Sequence, residues 1–240
     1  MNKLTQLLIA NKGGSRLDIQ AKSNEATVYL YGPIVDTDAD AEWLGGVSAE
    51  AFAKAVHNLK ADVIHLRINS PGGSVFGGRA METALRNHPA KVVAYVDGVA
   101  ASAASFVAMG ADEIEMAPGS FLMIHKAWSL CIGNANDMLK SAELLEQIDG
   151  TLIDTYAAKT GIAKETIADM LADETWLEAS DAIEKGFATR LQESAKAKNQ
   201  WDLSAYDKAP QIERQPEPEP QPVIDRAHLA RVAMARIKAI

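Results

Sequence analysis

The sequence predicts an α/β domain with a largely parallel sheet, and three observations point to it. Short runs rich in β-branched and apolar residues alternate with stretches of helical periodicity along most of the chain. Glycine- and proline-bearing turns separate them, Asn69-Ser70-Pro71-Gly72-Gly73 being the strongest. The 240 residues are 48% hydrophobic and 23% charged, enough to bury a substantial core as one large domain or two small ones.

Taken in order, residues 1–24 are polar and weakly patterned and form an N-terminal segment. Thr27–Val35 reads as a strand. Ser48 caps a helix running to about Leu59, with Phe52, Val56 and Leu59 on one face. Asp62–Ile68 is a second strand, and a helix follows over about Val75–His88 until Pro89 stops it. Val92–Val96 is nearly all apolar, as a strand covered on both faces requires. Asp97-Gly98 then turns the chain into a small-residue helix, about Val99–Met109. Ile114–Ala117 and Phe121–His125 are further strands. A long helix spans Asn134 to Lys159, with Met138, Ala142, Leu145, Ile148, Leu152 and Tyr156 at three- and four-residue steps. Short helices near Lys164–Leu171 and Ala179–Lys185 complete a domain over 25–193.

Beyond it, 194–222 reads as a polar linker, because Ala209–Pro222 carries five of the nine prolines and three glutamates. Residues 223–240 read as a basic amphipathic helix, with Leu229, Val232, Ala233, Ile237 and Ile240 along one side and Arg226, Arg231, Arg236 and Lys238 making it locally basic. Docking on its own domain and tethering to a partner surface both remain open for this helix.

The net charge of −8 disfavours nucleic acid as the main partner, since phosphate contact needs a clustered basic face. One cysteine, Cys131, excludes a disulfide framework and multi-cysteine metal sites. No apolar run reaches the roughly 20 residues that cross a bilayer, and no signal-peptide core precedes the domain. The expectation is a cytoplasmic protein without membrane, metal or cofactor; Gly72–Gly78 also lacks the Gly-Lys-Ser/Thr ending of a phosphate loop.

Three separated features carry chemistry: Gly72-Gly73 after a strand, Ser102 at a helix start, and His125 at a strand end. The amides of a helix's first turn are unpaired and favour negative charge. The N–H of Ala103 and one from the glycine turn could therefore form an oxyanion hole, and glycine leaves the approach unblocked. A serine hydroxyl needs a base, and histidine suits neutral pH. The histidine needs a carboxylate in turn, and Asp173 and Glu174 are the candidates. Each feature alone has an ordinary explanation: tight packing for Ser102, a core position for His125, a solvated turn for Asp173-Glu174.

Together, Ile68-Asn69-Ser70-Pro71-Gly72-Gly73, Gly98-Val99-Ala100-Ala101-Ser102 and Met123-Ile124-His125 resemble the ClpP family of serine peptidases in order and spacing. Thr160-Gly161, Trp176-Leu177-Glu178-Ala179 and Ala182–Gly186 extend the resemblance to roughly 26–191. It implies a ClpP/crotonase-like fold of repeated β-β-α units with a long protruding helix. It also implies Ser102 as nucleophile, His125 as base, Gly73 and Ala103 as oxyanion donors, and Glu174 where the family has aspartate, with Asp173 the alternative acid. Homo-oligomeric stacked rings, a polypeptide substrate and a possible partner ATPase follow from the same likeness. The departures (Glu174, Ala103-Ala104 for Met-Gly, Lys126-Ala127 for Gln-Pro) look like the ClpP-related head maturation proteases of phages and prophages, whose substrates are capsid or scaffold proteins. The alternatives are a general ClpP-type subunit working with an ATPase and a non-catalytic ring or scaffold protein. An acyl-CoA hydratase or isomerase on the same fold has no supporting carboxylates beside the glycines. Ser105 reads as packing, and His57, His65, His88 and His228 as structural. Lys126 would face away from Ser102 if His125 faces it.

Overall fold

The computed structural model describes residues 3–193 and 201–210. The chain opens with α1 (Lys3–Ala10), β1 (Arg16–Lys22), β2 (Glu25–Tyr31) and the short β3 (Ile34–Val35). Next come α2 (Asp38–Leu44), β4 (Val47–Ser48), α3 (Ala49–Asn58), β5 (Val63–Ser70) and α4 (Val75–Arg86). The central pair is β6 (Lys91–Ala101) and α5 (Ala103–Met109), followed by β7 (Glu113–Met116) and β8 (Phe121–Ile124). The last elements are α6 (Ala135–Thr160), α7 (Lys164–Ala172), β9 (Thr175–Glu178), α8 (Ala179–Glu184) and β10 (Arg190–Leu191). Caps fix several helix starts: Ser48 and Ser74 each accept an amide of the first turn, and Asn134 and Asp137 form a capping box on α6.

The main sheet has the order β1-β2-β5-β6-β7-β10. Its central pairings are parallel, while β1 pairs β2 and β9 pairs β8 in antiparallel fashion, so the sheet is mixed. One long strand organises it: β6 meets β7 through Val93–Val96 and then β8 through Val99–Ala101. Phe52 and Val56 of α3, Met81 and Leu85 of α4, Phe106 of α5 and Tyr156 of α6 pack on Leu30, Ile64, Leu66 and Ile68 to form the main core. A smaller cluster around Val99, Ala101 and Met123 joins Leu7 of α1 to Trp201, Leu203, Ala205 and Tyr206. Among the described residues, no helix is long and apolar enough to cross a membrane.

Three sequence expectations change. Residues 1–24 do not stand apart, because α1 and β1 pack into the domain and β1 adds seven register pairs to β2. The expected helix from Val99 is strand as far as Ala101. Asp97 is held by Arg67 and Tyr31, and Asn69 accepts the Val99 amide at 3.2 Å, so the chain bulges at Asp97-Gly98 and stays extended. The region 194–222 is not a solvated linker throughout: residues 201–210 are packed, with Trp201, Leu203 and Tyr206 buried. Burying two large aromatics outweighs the polar composition around them. The helix expected at 223–240 lies outside the described residues. The long helix is found as expected, but burial on it begins only at Asp149, and Met138, Leu139 and Leu144 are exposed.

Candidate active site

Ser102 sits between the end of β6 and the start of α5, with φ 52° and ψ −122°. This left-handed backbone costs a serine of order 1–3 kcal/mol, and the turn it makes from strand to helix lifts the side chain clear of both. Neighbours hold it in place. Its N–H donates to the Met123 carbonyl at 2.9 Å. Its own carbonyl accepts the Ser105 amide at 2.9 Å and the Ser105 hydroxyl at 2.6 Å. The Ser105 hydroxyl lies 2.7 Å from the phenol of Tyr156, which is buried on α6. Ser105 therefore does more than fill space: it ties the Ser102 backbone to the long helix.

Strand β8 delivers His125, whose Nε2 lies 2.7 Å from Ser102 Oγ. The segment after it is pinned twice: Lys126 N–H donates to the Leu171 carbonyl at 3.1 Å and Ala127 N–H to Asp149 Oδ1 at 2.8 Å. The Lys126 side chain is exposed. The imidazole meets Trp128 and Tyr206 edge-on, with centroids 4.5 and 5.3 Å away. Burial pushes its pKa down to about 4, against the opposing charge of Glu174. At neutral pH the ring is therefore uncharged, the form that can accept a proton from Ser102.

The glycine turn approaches from β5. Ile34 of β3 pairs with it, its N–H donating to Gly72 O at 2.8 Å and its carbonyl accepting Ser74 N–H at 2.9 Å. This pairing takes Gly72 O and Ser74 N–H, while Pro71 O accepts from the Tyr206 phenol instead. Glycine is required: a Cβ on Gly73 would stand 2.1 Å from Ile34 O, and one on Gly72 2.6 Å from Ala101 O and 3.1 Å from Ala103 N. The turn thus lies against the first amide of α5. A cavity of about 350 Å³ opens beside Ser102, Gly73 and His125, walled by Val35, Phe106, Leu145 and Ile148.

A family model described as Clp protease matches residues 13–195, well over half of the chain. The chain belongs to the Clp protease family. One relative, ATP-dependent Clp protease proteolytic subunit 1 of Borreliella burgdorferi, is 28% identical over 191 residues, covering 78% of this chain and 95% of its own. Proteolytic subunit 3 of Rhodococcus jostii is 31% identical over 173 residues, covering 71% of this chain and 82% of its own. The solved structure of a ClpP1 mutant from Listeria monocytogenes superposes with a TM-score of 0.60 at 21% identity, over 70% of this chain and 91% of that one, and shares the fold.

In this Clp protease family member, the expected acid is near the site but turned to other partners. Glu174 is buried, with φ 49°. Its carboxylate accepts Trp176 Nε1–H at 3.2 Å and the amides of Asp207 and Lys208 at 3.0 and 2.5 Å. Among the described residues no hydrogen bond joins it to His125, although its charge raises the imidazole pKa. Asp173 points into solvent, 3.7 Å from Lys208. Glu174→Gln is expected to lower peptide turnover by on the order of 10³-fold, as removing the charge behind a catalytic imidazole does, and Asp173→Asn to leave it within about two-fold. Steady-state kinetics on the two variants separates them; a larger loss in Asp173→Asn than in Glu174→Gln would reverse the assignment.

Sequence reading missed several residues that shape this Clp protease site. Tyr206 and Asp149 lie 81 and 24 positions beyond His125, and Tyr156 lies 51 beyond the Ser105 it holds, distances no local motif spans. The Trp201-x-Leu203-x-x-Tyr206 pattern just before the proline-rich stretch is the signal that points to a docked segment.

Proposed function

We propose that the chain is a serine endopeptidase that cleaves peptide bonds through an acyl-enzyme. The observation that carries this reading is the 2.7 Å contact between Ser102 Oγ and His125 Nε2 beside the Gly72-Gly73 turn. Ser102 attacks the carbonyl carbon while His125 Nε2 takes its proton. The amides of Gly73 and Ala103 donate to the oxyanion, and Glu174, once free of its present partners, accepts from Nδ1 and stabilises the imidazolium. His125 then returns the proton to the leaving amine, and water repeats the cycle on the ester. Extended substrate adds as a strand to the Pro71–Gly73 edge, with an apolar side chain in the adjoining cavity.

Assembly into stacked homo-oligomeric rings is part of the proposal. It is supported by Met138, Leu139 and Leu144, exposed on the first half of α6 beside exposed Leu130 and Ile132. For the biological role we propose processing of capsid or scaffold proteins in phage head maturation, supported by Glu174, Ala103-Ala104 and Lys126-Ala127 in the motif positions. The names of the relatives favour a second reading, a proteolytic subunit working with an ATPase. The test is a fluorophosphonate probe on the full chain, with the label mapped by mass spectrometry and a scaffold protein offered without ATP. Labelling at Ser102 and discrete ATP-independent products are expected; no label at Ser102 would overturn the peptidase reading.

A further inference from the structure

The segment 201–210 lies across the site. Asn11 clasps its start, donating to Asp202 O at 2.9 Å and accepting Asp202 N–H at 2.6 Å. Lys3 pairs with Asp207 at 2.6 Å near its end. Between these anchors Tyr206 is buried among three aromatic rings: His125 at 5.3 Å, Trp128 at 5.0 Å and Trp176 at 5.8 Å between centroids. Its phenol donates to the carbonyl of Pro71, and the Ser102 hydroxyl is also within its reach. The next two amides, Asp207 and Lys208, donate to Glu174.

The contacts of Tyr206, Asp207 and Lys208 with Pro71, His125 and Glu174 use groups that the proposed catalysis requires. Pro71 O is on the glycine-turn edge where a substrate strand pairs, because Gly72 O and Ser74 N–H are already taken by Ile34. Glu174 is the carboxylate whose charge acts most on His125, and two segment amides hold its oxygens. The ring of Tyr206 closes the imidazole off from solvent, leaving His125 only 7% exposed.

We propose that His125, Trp128, Trp176 and the Pro71 carbonyl form a subsite for a tyrosine-like side chain, and that residues 201–210 are its built-in ligand, which polypeptide substrate must displace. This rests on the peptidase reading. Displacement frees Pro71 O for substrate and Glu174 for the imidazole at one stroke. A chain that spends most of its time with the subsite filled in cis reacts more slowly by the fraction left open.

The test compares full-length wild type with Tyr206→Ala and with Asn11→Ala, which loosens the far clasp without touching the site. Circular dichroism verifies folding, and the readout is the rate of fluorophosphonate labelling at Ser102. Labelling faster by about ten-fold or more in a folded variant is expected. A synthetic peptide of residues 201–210 should slow Tyr206→Ala back toward the wild-type rate, and the same peptide with alanine for tyrosine should not. Rates unchanged or lower in both variants would overturn the proposal. If no form labels, the peptidase reading fails by itself, and calorimetric titration of the peptide into Tyr206→Ala decides this one: binding that depends on the peptide's tyrosine supports the subsite, and none overturns it.

Discussion

Ser102→Ala is expected to lower peptide hydrolysis by on the order of 10⁶-fold while leaving the fold in place. The hydroxyl is the group that would form the acyl bond, and among the described residues it is the hydroxyl that meets His125 Nε2. The Ser105 hydroxyl is committed to the Ser102 carbonyl and Tyr156, and the Tyr206 phenol to Pro71. The backbone at φ 52° is unfavourable for serine and alanine alike, so little stability should change. Ser102→Gly sharpens the comparison: it removes the same hydroxyl but suits the left-handed backbone. It should melt at or above the wild-type temperature and be equally inactive. Residual activity in both, within about ten-fold of wild type, would remove Ser102 from the chemistry.

Gly73→Ala is expected to be the most damaging single-methyl change in the described chain. At φ 146° an L-residue is strained, and the added carbon would stand 2.1 Å from Ile34 O and 2.7 Å from Ile34 N. Neither is the end of a flexible side chain; both belong to a backbone that already gives two hydrogen bonds to the turn. The strand pairing must break or shift, at a cost of about 3 kcal/mol or more, which for a chain this size lowers Tm by about 10 °C. The same movement displaces the Gly73 amide, so fluorophosphonate labelling should fall beyond what lost stability explains. Gly13→Ala, with open space around it, is the control and should change Tm by no more than about 2 °C. A Gly73→Ala protein with wild-type Tm would show that Ile34 does not hold the turn as described.

Much of this architecture is legible in the sequence where local rules and tertiary demands agree. The Ser48 cap, the Pro71-Gly72-Gly73 turn and the periodicity from Leu145 to Tyr156 each lead to the element found. Reading fails where packing overrides composition. Val99-Ala100-Ala101 has helix-forming alanines, yet β5 and β8 flank it and Asn69 fills the bulge, so it extends. Thr175–Glu178 is too short to announce itself as a strand, and β1 is polar enough to pass for a tail. At the site, Ser102, His125 and the glycines sit in local motifs and are visible. Glu174 is placed by alignment alone, and its present partners at 207 and 208 come from a part of the chain whose composition suggested a solvated tether.

Helix α6 is tied to the backbone at both Ser102 and the segment after His125. Asp149 holds the segment that follows His125, and Tyr156, two turns later, holds the carbonyl of Ser102 through Ser105. The Ser102 carbonyl and the segment after His125 are therefore both tied to one rod, whereas the Gly72-Gly73 turn is paired with Ile34 of β3. A push on the end of that rod where Met138 and Leu139 protrude would reach the Ser102 backbone and the segment after His125 through one helix.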